Sequence, residues 1–91
     1  MPFQLLYLPG AARDIRALPP AVAQRARRGL EKLAEDPRVG KPLHGELAPF
    51  WSYRVGDYRI VYEIRDKQLV VLVVMLGHRR DVYERARRRK G

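Results

Sequence analysis

The sequence contains no cysteine and only one tryptophan. Without thiols, no disulfide can staple the fold, and no thiolate can hold a metal or act as a nucleophile. The absence of disulfides also fits a reducing compartment. Long apolar runs are missing as well. No stretch approaches the roughly 20 residues needed to cross a bilayer, and MPFQLLYLPG lacks a basic leader followed by an apolar core. A cytoplasmic location is expected. Acid is scarce too: ten Asp and Glu stand against nineteen Lys and Arg, a net charge of +9. Such a balance points to an anionic partner, by position more than by total. The 91 residues supply apolar material for one core, so residues 1–91 are read as one domain.

The chain reads as a short apolar strand, two helices, a broken loop, three strands and a basic end. Phe3 to Leu8 are apolar and stop at Pro9-Gly10. Ala12, Ile15 and Leu18 then share one face of a short helix closed by Pro19-Pro20. Between Ala21 and Asp36, Val22, Ala26, Leu30 and Leu33 recur at helical spacing opposite Arg25, Arg28, Lys32 and Glu35. Two helices separated by two prolines form a helical hairpin against the sheet. Pro37 to Pro49, with Gly40, Pro42 and Gly45, reads as loop.

Three strands are expected next, at Phe50–Val55, Tyr58–Arg65 and Gln68–Leu76, with turns at Gly56-Asp57 and Asp66-Lys67. LVVLVVML is apolar at successive positions, as a strand covered on both faces would be. HRRDVYERARRRKG suits a short helix, its basic tail fraying from about residue 86. The fold class is α+β: a small antiparallel sheet in the order β-α-α-β-β-β-α, with the helical hairpin on one face.

Alternation along the hairpin sends Trp51, Tyr53, Val55, Tyr58, Ile60, Tyr62 and Ile64 toward the helices. Ser52, Arg54, Arg59, Val61 and Glu63 face the other way, making that face polar and basic. A two-residue turn at Gly56-Asp57 sets Arg54 directly opposite Arg59, an unfavourable pairing unless an anion or a carboxylate lies between them. Glu63 relieves it in part; a phosphate relieves it more. A solvated basic face competes with this reading. Arg79 and Tyr83, one helical turn apart, add a third guanidinium and a phenol. The ring of Tyr83 either stacks on an unpaired base or packs on the sheet.

The runs KPLHGELAPFWSYRVGDYRIVYEI and VVMLGHRRDVYE resemble the RelE/ParE superfamily of type II toxins, and within it the RelE branch, over nearly the whole chain. The resemblance implies a RelE-like fold and a toxin that inhibits translation. Its partners would be a cognate antitoxin, the ribosome and mRNA, with no membrane, no metal and no small-molecule cofactor. The reaction implied is ribosome-dependent cleavage of mRNA in the A site, by attack of a ribose 2′-hydroxyl on the adjacent phosphate. Carried over by position, Arg59 contacts the scissile phosphate, Arg54 stabilises the transition state, Arg79 serves the leaving oxygen, and Tyr83 stacks on a base. Arg80 joins the RNA-binding surface.

A lysine that some relatives carry two residues before the Arg54 position is Ser52 here, which leaves the general base open. His78 is the candidate by its ordinary pKa near 6.5, with His44 and Glu63 behind it; Glu63 fits better as the partner of a nearby arginine. A gyrase inhibitor of the ParE kind, without nuclease chemistry, and a non-catalytic RNA-binding module are the competing functions.

Overall fold

Five strands and three α-helices account for most of residues 2–79 and 81–90, the part of the chain that the computed structural model describes. Strand β1 (Gln4–Tyr7) leads into α1 (Pro9–Arg16), which begins on Pro9, a residue whose fixed φ and missing N–H suit a first helical turn. Helix α2 (Pro20–Glu35) opens in the same way on Pro20. It ends where Asp36 leaves the helix before Pro37, and the Asp36 carboxylate accepts a hydrogen bond from the backbone N–H of Arg38. The hairpin strands β3 (Trp51–Val55) and β4 (Tyr58–Arg65), the long β5 (Val70–His78) and the basic helix α3 (Asp81–Lys90) follow. The α+β class and the helical hairpin are as the sequence predicts.

The segment expected to be loop holds a short strand, β2 (Lys41–Pro42), which pairs antiparallel with β3 and gives the sheet the order β1-β5-β4-β3-β2. Pro42 is tolerated there because an edge strand need not donate on its outer side. The β3, β4 and β5 strands form the expected antiparallel meander, whereas β1 joins β5 in parallel. The second turn is a 3₁₀ turn over Asp66–Gln68 followed by Leu69 at φ 54°, longer than the two residues predicted. Helix α3 runs from Asp81 to Lys90, with Ala86 fully buried.

One face of the sheet carries the main core. Ala11, Ala26, Leu30 and Leu33 from the helices meet Val55, Ile60, Tyr62, Val71, Val73 and Leu76, with Trp51, Tyr53, Tyr58 and Ile64 around them. These are the hairpin residues that alternation sends inward. The opposite face is not simply polar and basic. Val61, Val74 and Met75 pack with Leu47, Phe50, Val82 and Ala86 into a second, smaller core beneath α3. An irregularity in the β4–β5 register, where Val61 pairs Met75 but Tyr62 pairs Val73, places Val74 and Met75 together in that second core.

Candidate functional site

The site grows out of the β3–β4 hairpin. Gly56 has φ +60° while Asp57 keeps an ordinary negative φ, the pattern of a type II′ turn, which requires glycine at its first central position. The turn fixes the register, and Arg54 pairs with Arg59 as predicted. Arg54 Nε donates to the carbonyl of Gly56 at 3.2 Å, and Arg59 Nη1 donates to the carbonyl of Tyr58 at 3.2 Å. These bonds hold each guanidinium while leaving most of its five donors free. Among the described residues neither arginine has a carboxylate partner. Glu63 bonds Arg65 Nε at 2.7 Å instead, so it offsets no charge at the Arg54–Arg59 pair.

Beside this pair lies an open cavity of about 400 Å³ whose lining includes Lys41, Ser52, Tyr53, Arg54, Arg59 and Tyr83. Tyr83 reaches it from α3, and its hydroxyl is hydrogen-bonded to Ser52 Oγ at 3.0 Å. Both remaining alternatives for Tyr83 are thereby narrowed: the ring packs on the second core while its hydroxyl stays at the cleft. Helix α3 is held in place by Asp14 of α1. One carboxylate oxygen accepts from Arg85 Nη2 at 2.8 Å, and the other accepts from the backbone N–H of Leu76 at 3.1 Å. Strand β1 pairs β5 only as far as Val73, which leaves the Leu76 N–H in need of such an acceptor.

Lys41 is the residue that sequence reading missed. It pairs with Ser52 across β2 and β3, and directly opposite residues present their side chains on the same face. Its placement depends on a close approach: a Cβ on Gly40 would collide with the Tyr62 hydroxyl and lie 2.6 Å from the carbonyl oxygen of Ser52. The same Tyr62 hydroxyl donates to the carbonyl of Pro37 at 2.6 Å, tying this segment to the core. Burial pushes the Tyr62 phenol up to about 12. The only hint in the sequence is a Gly-Lys-Pro run that reads equally well as a turn.

Other expected participants sit elsewhere. His78 pairs with Tyr58 and packs its ring edge-on against it, with ring centroids 5.7 Å apart, on the face of the helical hairpin rather than in the cleft. Unbroken alternation from Val71 and Val73 would have put His78 on the cleft face; the irregularity at Val74-Met75 reverses the parity. Arg79 is exposed, and its backbone N–H donates to the carbonyl of Asp57 at 2.8 Å, so it adjoins the hairpin turn without lining the cavity. His44 is exposed ahead of the 3₁₀ turn Gly45–Leu47 and also lies outside the lining. Arg80 falls outside the described residues. Among the described residues no Asp, Glu or His lines the cavity, and no group of three or more His, Cys, Asp and Glu is placed to hold a metal. The cleft can therefore bind and stabilise negative charge, but it offers no side chain with the ordinary pKa of a neutral-pH base.

Residues 5–83 match the family described as the ParE toxin of the type II toxin-antitoxin system, parDE. Toxin RelG of Mycobacterium tuberculosis is 39% identical over 87 residues, covering 93% of this chain and all of that protein. Toxin RelE of the same organism is 34% identical over 90% of this chain and 87% of its own length. Among solved structures, the toxin-antitoxin complex RelBE2 from M. tuberculosis superposes with a TM-score of 0.80 at 36% identity, covering 87% of this chain and 93% of the other. A free mutant form of the E. coli toxin RelE gives 0.81 at 27% identity over 98% of both chains. No helix among the described residues is long and apolar enough to cross a membrane.

Proposed function

This chain belongs to the RelE/ParE superfamily of type II toxin-antitoxin toxins, and from that membership we propose that it stops translation by cutting mRNA in the ribosomal A site. The observation that carries the reading is the facing pair Arg54 and Arg59, uncompensated by acid and open to a cavity that also takes Lys41 and Tyr83. Attack by a 2′-hydroxyl on the neighbouring phosphorus produces a pentacovalent phosphorane with more negative charge than the ground state. Cations fixed in advance stabilise that charge selectively. Arg59 and Arg54 take the phosphate oxygens, Lys41 adds a third cation, and Arg79 approaches from the turn. Tyr83 gives its hydroxyl or ring to the nucleotide once its bond to Ser52 opens.

Among the described residues neither a carboxylate nor an imidazole lines the cleft to take the proton of the attacking hydroxyl. That supports a reaction in which the ribosome–mRNA complex completes the site and the chain contributes electrostatics and positioning. A cognate antitoxin is the expected protein partner. Relatives are described as toxin-antitoxin complexes, and an antitoxin that neutralises the cleft would silence it.

The test is to map mRNA 5′ ends in purified translation reactions, with wild type against Arg59→Ala. In-frame cuts that disappear in the variant support the reading. A second reading has support in the family description, which names ParE: a gyrase inhibitor would leave mRNA intact, disturb DNA supercoiling, and keep its growth arrest when Arg54 and Arg59 are replaced.

A further inference from the structure

Around the edge of the sheet from the cleft lies a second hollow, of about 270 Å³, lined in part by Arg25, Arg28 and Lys32 of α2 together with Tyr53 and Arg54. The three α2 cations stand at i, i+3 and i+7, one stripe about 10 Å long. Among the described residues none of them makes a salt bridge, although Glu31 and Glu35 lie on the same helix. Their closeness to the hairpin is built in. Gly29 is buried, and a Cβ there would come 3.0 Å from the Tyr53 ring, so its absence brings α2 down onto β3. At the turn, a Cβ on Gly56 would lie 3.1 Å from Arg25 Nη1.

Tyr53 and Arg54 line both hollows. Strand β2 pairs only with Trp51 and Ser52, so among the described residues no strand pairs with β3 on that edge at Tyr53 and Arg54, the residues that the two hollows share. Unpaired cations flanking an aromatic ring form the chemistry that holds a single nucleic-acid strand: charge for the phosphates and a ring face for a base.

We propose that this α2 groove is a second binding site, for the phosphodiester backbone of a single RNA strand, which continues the cleft around the open edge of β3. The proposal rests on the reading that the cleft itself takes RNA.

The experiment measures binding of a 2′-O-methyl RNA twelve-mer, which cannot be cut, to the full chain across a salt series. Each phosphate contact contributes about 0.7 to the slope of log affinity against log salt for single strands. The triple variant Arg25→Gln, Arg28→Gln, Lys32→Gln should lower that slope by about 2 and weaken binding by at least about tenfold at low salt. Arg13→Gln, Arg16→Gln, Arg27→Gln removes the same charge from elsewhere on the helices and should leave the slope unchanged. Footprinting of ribosome complexes then identifies the strand: protection lost with the α2 triple lies on flanking mRNA or on ribosomal RNA. Equal effects from the two triples, or an acidic peptide that depends on Arg25, Arg28 and Lys32 more strongly than the RNA does, would overturn the proposal. Because the probe is uncleavable, a groove that binds while Arg59→Ala still cuts mRNA would sink the nuclease reading alone.

Discussion

The two faces of the sheet are built to different standards. The face under α1 and α2 is closed by ten buried residues and a rim of aromatics, and among the described residues it carries no buried charge. The face under α3 closes only at its centre, around Val61, Met75 and Val82, and leaves the hairpin end bare with two arginines opposite each other. Burial of apolar area stabilises the first face, while the second accepts electrostatic repulsion that a polyanion would relieve. The difference separates folding from function within one sheet. Changes on the closed face should cost stability, and changes on the open face should cost activity.

The sharpest test sets Leu33→Ala against Arg59→Ala. Leu33 is fully buried, and its truncation should cost about 2–5 kcal/mol in urea unfolding, with the remaining folded protein still able to cut. Arg59→Ala should lower the cleavage rate by about a hundred- to a thousandfold and leave the unfolding midpoint in place. If both changes act alike, the separation fails.

Asp14→Ala probes a link between the two faces. Removing the acceptor of Arg85 and of the Leu76 N–H should cost about 1–3 kcal/mol. It should also slow cleavage through Tyr83, whereas Asp14→Asn, which keeps an acceptor for the amide, should lose less of each. Lys41→Gln should reduce cleavage by about tenfold with no change in stability, and Lys41→Arg should restore it, because the role is charge at a phosphate.

The smallest effect belongs to Tyr62. Burial raises the Tyr62 phenol in the folded chain to about 12, above its ordinary value of 10.0. The folded chain therefore holds a proton that the unfolded chain releases, and this share of stability is complete below pH 10.0 and lost as pH rises through about 12. Tyr62→Phe should cost about 1 kcal/mol at neutral pH for the lost bond to Pro37 and should flatten the alkaline fall in unfolding free energy.

Much of the closed face was legible because its signals are local. Helical spacing from Val22 to Leu33 and alternation from Trp51 to Ile64 each report burial directly, and Gly56-Asp57 determines the Arg54–Arg59 register by itself. What stayed hidden depends on contacts distant in sequence. Lys41 enters the site only because Gly40 slides beneath Tyr62 and turns a Gly-Pro stretch into an edge strand. The second core was legible only in part: the LVVLVVML run called for cover on both faces of β5, but Val61, Met75 and Val82 are far apart in the chain, and Val74 and Met75 break the alternation. The same break sets the face that His78 takes, opposite Tyr58 and away from the cleft, as expected of a residue that points apart from Arg79 unless the chain has already turned.

Asp14 has a consequence beyond holding two elements together. It belongs to α1, behind the sheet, yet its carboxylate is one of the tethers of the helix that delivers Tyr83 in front. A contact on α1 that drew this carboxylate aside would loosen one hold on that helix, and would reach the cleft from behind without touching the arginines.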